Sequence, residues 1–279
     1  MQHPVDLHSH TRCSDGILSP ADLVAKAAAD GVTVLAVTDH DTLVGIPEAR
    51  AAAARHGVRL VPGVELSVTH AGHDFHVLGL IVDPDHAELA RLLESRRDDR
   101  VSRVREILGK LRRQGIDIPF EAVEGESVDE GVLGRPHVAR ALMAAGHASS
   151  IDDAFARYLG SKAAAYVPYP RLNSADGIAA IHAAGGVASL AHPGIDDGDA
   201  VLESFVEAGL DSVEAYHPAH SAVEQGHFAG RARRLGLLVS GGSDFHGPGA
   251  SEGHALVLGR PGCPPDDFAA LEAKAATYR

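Results

Sequence analysis

Tryptophan is absent, and aromatic residues of all kinds make up only 4% of the 279-residue chain. The core therefore has to be packed from Ala, Val, Leu and Ile, which the 45% apolar content supplies. Cysteine is nearly as scarce. Cys13 and Cys263 stand far apart and form no paired spacing, which argues against a disulfide framework and against a thiolate metal site. No uncharged run is long enough to span a bilayer, so no membrane partner is expected. The first predicted strand begins so early that no leader peptide is expected before it. These features point to a reducing cytoplasm. Basic charge is also in deficit, with a formal net charge of −13. A surface of that sign argues against sequence-blind binding to duplex DNA, which depends on Lys and Arg neutralising phosphates. A small anionic substrate is still admissible where bound cations reverse the local field.

Histidine, in contrast, is abundant at 18 residues. The stretch Asp6-Leu7-His8-Ser9-His10 places two of them at i and i+2. In a strand both side chains point to one side and can grip a single ion. Asp15 follows after a turn marked by Ser14 and Gly16. A second apolar strand ends in Thr38-Asp39-His40-Asp41, and Glu65, His76, His192 and the run Ser243-Asp244-Phe245-His246 come later. A lone histidine is more often a surface or core residue than a ligand. A set of nine imidazoles and carboxylates at predicted strand ends, with His-x-His and Asp-x-His pairs, reads as a metal centre.

The hydrophobic pattern predicts parallel α/β structure. Ser19-Pro20 supplies a cap and a first-turn proline for a helix closed by Gly31. Val32 to Val37 is a continuous β-branched run of the kind buried in a parallel sheet. A helix over 42–56 and a strand over 58–64 follow, and 73–82 is expected to pair with the latter as a hairpin. A long helix is predicted from His86 to Gln114, with Leu89, Leu92, Leu93, Val101, Val104, Leu108 and Leu111 as its apolar stripe. Its many arginines, mixed with acidic residues, read as a solvated, salt-bridged face. From 101 to about 160 there are helix signals and no strand. The α/β rhythm resumes at Tyr166-Val167-Pro168. Strands are predicted at 187–191, 212–216, 237–240 and 254–258, and a last helix from Pro265. Periodicity alone allows either a barrel or an open sheet.

The motifs around His8, His40, Glu65, His76, His192 and Asp244 resemble those of the PHP (polymerase and histidinol phosphatase) superfamily, and the likeness covers nearly the whole chain. The closest resemblance is to the branch that hydrolyses nucleoside 3′,5′-bisphosphates and trims RNA from its 5′ end. It implies an α/β fold, a distorted (β/α)7 barrel, divided as 1–100 and 165–279 around a helical insertion at 101–164. It also implies two or three divalent ions. His8, His10, Glu65 and Asp244 would hold the first. Glu65 would bridge to a second, completed by His76 and His192, and Asp15, His40 and His246 would hold a third. A bridging carboxylate can keep two cations close enough to share a hydroxide for attack on phosphorus. Mn²⁺, Fe²⁺, Zn²⁺ and Mg²⁺ all suit such ligands. Position 15 is Asp where other family members place a His, and this harder, negatively charged ligand is expected to favour Mn²⁺ or Mg²⁺ over Zn²⁺ at that site, with Mn²⁺ the first expectation overall.

Gly134-Arg135-Pro136-His137 lies in the insertion, with Pro136 suited to a first helical turn. Arg135 and His137 would then stand at a helix N-terminus, where backbone N–H groups and a guanidinium fork suit a phosphate. By resemblance this run holds the phosphate that is not cleaved, with Lys162 and Arg171 as further candidates and Arg140 one turn on. His217, in a second strand-ending His-Pro pair, is expected either to support a ligand or to act on the leaving oxygen, beside the catalytic carboxylates Glu65 and Asp244. The expected substrate is a nucleotide or a short RNA 5′ end. Alternatives are a histidinol-phosphate phosphatase and a catalytically silent PHP domain that only binds a partner.

Overall fold

Seven strands pair in simple chain order to form one sheet in the computed structural model, which describes residues 4–127, 131–168, 172–195, 197–247, 255 and 257–279. In order the elements are β1 (Val5–Asp6), α1 (Pro20–Ala29), β2 (Val34–Val37), α2 (Ile46–His56), β3 (Arg59–His70), β4 (His73–Leu80) and α3 (Ala87–Arg113). The chain continues through α4 (Phe120–Glu124), α5 (Arg135–Ala144), α6 (Ile151–Ala154, prolonged by a π-helical turn Phe155–Leu159) and α7 (Ser174–Ala183). It ends with β5 (Val187–Leu190), α8 (Gly198–Glu207), β6 (Ser212–Tyr216), α9 (Ala222–Arg234), β7 (Leu238–Gly241) and α10 (Pro265–Ala275).

Buried runs such as Leu35-Ala36-Val37 and Val187-Ala188-Ser189-Leu190 pair in parallel, with helices between them. Strand β4 runs antiparallel to both neighbours, because the β3–β4 connection is a tight hairpin with Ala71 and Gly72 at positive φ. The sheet closes on itself. Leu7 N–H donates to the Gly241 carbonyl at 3.2 Å and His10 N–H to the Phe245 carbonyl at 2.9 Å, so the exit of β7 lies along the exit of β1. The approach is close enough that a β-carbon at Gly242 would collide with the His8 backbone. Buried Asp6 fastens this seam by accepting from Ser243 N–H at 2.9 Å and Gly259 N–H at 2.7 Å.

The helix starts follow their caps. Ser19 accepts from Asp22 N–H, and Asn173 from Ala175 N–H. Helix α2 begins at Ile46 rather than at the predicted Thr42. Pro47 has no N–H to donate and its ring would clash one turn earlier, so it belongs in the first turn. Tyr166–Pro168 forms no strand. The predicted strand 254–258 falls partly outside the described residues, and Ala255, Val257 and Leu258 are not in a strand.

Helix α3 runs unbroken through position 101. Its first half packs Leu89 and Leu93 into the barrel core, and its second half joins a separate apolar cluster with Val123, Val138, Leu142 and Leu159. The expectation of solvated arginines fails for Arg96, Arg100 and Arg103, which are buried. They occupy the same stripe as Leu89, Leu93, Ile107 and Leu111, so the face that packs inward carries guanidinium groups over its middle turns. No helix among the described residues is long and apolar enough to cross a membrane.

Candidate metal centre

The barrel delivers the nine predicted ligands to one rim. His8 and His10 flank Ser9, which bridges to Phe245, so both rings leave β1 on the inner side. His40 follows β2 and forms an isolated bridge to Glu65. Glu65 and His76 come from the paired strands β3 and β4, where His76 is opposite Ser67 in the register. His192 follows β5, and Asp244 and His246 follow β7. His192 and Asp244 have φ of 28° and 48°. Non-glycine residues in that region cost about 1–3 kcal/mol each and persist only where their surroundings hold them.

Glu65 is the hub. One oxygen, Oε2, lies 3.3 Å from His8 Nε2, 3.2 Å from His10 Nε2 and 3.1 Å from His40 Nδ1. The other, Oε1, lies 3.1 Å from His76 Nδ1 and 3.2 Å from His192 Nε2. Asp244 Oδ1 faces His8 Nε2 and His10 Nε2 at 3.2 Å from each. Asp15 stands 3.2 Å from His246 Nε2 and 3.5 Å from His40 Nε2. The donors converge in four overlapping groups: His10 with Asp15, His40 and His246; His8 with His10 and Glu65; His40 with Glu65 and His76; and His8 with His217 and Asp244. His40 reaches both Glu65 and Asp15 and so belongs to two of them.

This donor set fits divalent cations. His8 Nδ1 lies 2.9 Å from Glu214, so its N–H points there and its Nε2 lone pair faces inward, 3.0 Å from His10 Nε2. Burial opposes charge on Glu65, Asp244 and Asp15, yet the histidines around them outweigh it and hold all three well below the usual carboxylate range. Burial likewise opposes a proton on His10, but Asp244 and Glu65 push it up to about 10. Imidazole nitrogens and carboxylate oxygens converging on shared points in a buried cluster are the donor types that hold divalent cations.

Supporting contacts surround the ligands. Asp39 accepts from Thr11 N–H, Thr11 Oγ1 and Ser14 Oγ, each at 2.7 Å, and so shapes the loop that carries Asp15. Asp41 accepts from Ser67 N–H at 3.0 Å and from Arg100. His217 Nδ1 accepts from Ala219 N–H at 3.2 Å, so the neutral ring carries its proton on Nε2, which lies 3.2 Å from Asp244 Oδ2. His220 spends both nitrogens on backbone, Nδ1 on the Ala215 carbonyl and Nε2 on Gly194 N–H. Glu214 escaped sequence reasoning. Its signal was an acidic residue between Val213 and Ala215 in an otherwise buried strand.

A cavity of about 430 Å³ opens over this centre, and the helical segment forms part of its wall. Asp15, His40, Glu65, His76, His192, Asp244 and His246 line it. Arg100, Arg103, Arg135 and Arg140 also line it, as do Phe75, Pro136 and Phe155. The Arg135 guanidinium lies 5.3 Å from the Phe155 ring centre and donates to the Leu159 carbonyl at 3.3 Å. Arg140 donates to the Asp15 carbonyl at 3.2 Å, joining α5 to the metal-side loop. The other predicted substrate contacts are placed differently. His137 is buried behind the wall, with Nδ1 accepting from Gly134 N–H at 3.0 Å, and burial pushes it down to about 4. Lys162 is exposed and is not among the described residues lining the cavity. Arg171 lies outside the described residues.

Comparison with known proteins agrees with this geometry. The PHP domain family profile matches residues 6–159. A 3′,5′-nucleoside bisphosphate phosphatase from Chromobacterium violaceum is 38% identical over 250 residues, covering 88% of this chain and 88% of the relative. A 5′-3′ exoribonuclease from Haemophilus influenzae is 37% identical over 253 residues, covering 89% of this chain and 92% of the relative. The solved structure of an amidohydrolase from Chromobacterium violaceum, with bound sulfate and no metal, superposes with a TM-score of 0.87 at 37% identity, over 98% of this chain and 97% of that one. The chain therefore belongs to the PHP domain family, on the branch of bisphosphate nucleotide phosphatases and 5′-3′ exoribonucleases, and is a phosphate-ester hydrolase built on a distorted (β/α)7 barrel.

Proposed function

We propose that the chain removes the 3′-phosphate of nucleoside 3′,5′-bisphosphates and, by the same geometry, cleaves nucleotides from the 5′ end of short RNA. The observation that carries this reading is the shared cavity, which is lined both by the ligand cluster and by Arg100, Arg103, Arg135 and Arg140. The ester to be cut belongs at the ligands and the second phosphate at Arg135 on α5, with the segment 101–164 acting as the cap over the substrate. Bound divalent ions, taken to be Mn²⁺ with Asp15 in the third group, supply Lewis acidity and neutralise charge in an in-line displacement at phosphorus.

The chain's own residues do the rest. Glu65 spans two ligand groups with its two oxygens and fixes their spacing. Asp244 holds the first group from the opposite side. His217, through its N–H to Asp244, steadies that carboxylate rather than handing a proton to the leaving oxygen. Phe155 and Phe75 give the cavity apolar surface against which a nucleoside can pack without being read by sequence. The exoribonuclease reading is supported by the relative of that name, nearly as similar as the phosphatase.

Steady-state assays with a nucleoside 3′,5′-bisphosphate, histidinol phosphate and a 5′-phosphorylated oligoribonucleotide, run side by side with Mn²⁺, test the proposal. Turnover of the bisphosphate and the oligonucleotide well above histidinol phosphate is expected. Preference for histidinol phosphate, or no turnover of any of the three, would remove it.

A further inference from the structure

Strand β6 contributes none of the nine ligands, yet its Glu214 touches two of them. The carboxylate is fully buried, with its oxygens 2.9 and 3.1 Å from His8 Nδ1. The same Oε2 accepts from the backbone N–H of His192 at 2.9 Å. His8 belongs to the ligand group with Asp244, and His192 to the group with His76, so one carboxylate holds the ring of the first and the main chain of the second. The His192 backbone is the one held at a φ of 28°, a conformation that needs outside support. Three residues further along, His217 supports Asp244 in the same way, through Nε2 on Oδ2 at 3.2 Å.

An imidazole has two neutral tautomers, and only a nitrogen without a proton can bind a cation. A carboxylate at Nδ1 selects the tautomer whose Nε2 is free for the ion and makes that nitrogen more basic. Glu214 is not among the described residues that line the cavity, so it acts on the ligands and not on substrate.

We propose that Glu214 is a positioning residue that couples the two ion positions joined by Glu65, with His217 completing the support on Asp244. The proposal rests on the metal reading of the site and not on the identity of the substrate. Calorimetric titration of metal-stripped protein with Mn²⁺ tests it, together with kcat and KM on p-nitrophenyl phosphate at increasing Mn²⁺. Glu214→Gln keeps the shape and removes the charge. It should weaken Mn²⁺ binding by about 10- to 100-fold, with kcat recovered at high Mn²⁺ and KM unchanged. The melting temperature of the metal-stripped protein should move little, while the extra stability conferred by Mn²⁺ should shrink. If Glu214→Gln does not fold, His217→Phe carries the test, with weakened Mn²⁺ binding again expected. Wild-type Mn²⁺ affinity in either folded variant, or lost turnover that excess Mn²⁺ does not restore, would overturn the proposal. A wrong substrate assignment would appear only in the nucleotide assays and would leave the titration unchanged.

Discussion

The guanidinium of Arg100 lies on the carboxylate of Asp41, with Nη2 2.7 Å and Nε 2.8 Å from the same oxygen, and both side chains are buried. Arg100 also donates to Ser67 Oγ at 3.1 Å and to the Leu133 carbonyl at 3.3 Å. One residue of α3 thus ties the loop beside His40, strand β3 and the entry to α5 at the floor of the cavity. Removing it leaves a buried carboxylate without its counter-charge, which costs about 3–5 kcal/mol in pairs of this kind. Arg100→Met should lower unfolding stability by that order in urea titrations, and Arg100→Lys should recover only part because it lacks the fork. A loss near zero would mean that Asp41 finds another partner.

Position 15 sets a second expectation. Asp15 brings a carboxylate to His40 and His246, where a histidine would bring a softer nitrogen. Activity is expected to be higher with Mn²⁺ than with Zn²⁺, and Asp15→His should move the preference toward Zn²⁺. Turnover of both proteins across a metal series checks this, and an unchanged ranking would show that residue 15 does not choose the ion.

In the proposed reading, Arg135 discriminates between one phosphate and two. Losing a charge-assisted fork to a buried anion should lower kcat/KM by about 30- to 1,000-fold, the equivalent of 2–4 kcal/mol. Arg135→Ala should show that loss on a 3′,5′-bisphosphate and hardly any on a 3′-monophosphate, which places no group there. Equal losses on both would assign Arg135 to folding or to the reacting phosphate.

At the opposite end of the barrel, Asp211 clamps the last helix. Its oxygens lie 2.7 Å from His182 Nε2 and accept from Tyr278 Oη at 2.7 Å and Ala188 N–H at 2.9 Å. Burial opposes its charge, but these donors outweigh it and lower its pKa from the ordinary 3.8. A depressed carboxylate stabilises the fold fully above its unfolded value, and the contribution fades as pH falls through the lower folded value. Asp211→Asn should therefore cost about 1–3 kcal/mol near neutral pH, and the gap to wild type should close as pH falls below about 3.8. Urea titrations over that range check the sign. A gap that stayed constant would mean the charge is irrelevant.

Much of this centre was legible in the sequence because its ligands announce themselves by spacing. His8 and His10 could share an ion only from a strand, and Asp244 and His246 repeat that spacing. What stayed hidden were the residues that work through other residues. Glu214 has no motif of its own, since its partner His8 is 206 residues away in sequence. The arginines of α3 were masked differently. Long helices usually turn such residues to solvent, but Leu89, Leu93, Arg96, Arg100, Arg103 and Ile107 follow one three- and four-residue rhythm. The gap in the apolar stripe was the sign that the guanidinium groups point inward. The predicted phosphate contacts fared unevenly for a related reason. A helix N-terminus fixes where the backbone N–H groups point, but which side chains of its first turn reach the cavity depends on packing. Arg135 does, and His137 turns back to cap the helix.

The seam fastened by Asp6 also bears on how the molecule comes into being. Its partners Ser243 and Gly259 follow 237 and 253 residues later. A nascent chain emerges from its N-terminus, so β1 leaves the ribosome long before the strand that will cover its outer edge. Contacts of such long range are slow to form, because their loop entropy is lost before they are rewarded. Asp244 and His246 arrive equally late, so a product truncated before Asp244 has His8, His10, Glu65, His76 and His192 but lacks Asp244 from the first ligand group and His246 from the third. The full ligand set is thus present only once synthesis has passed the last strand.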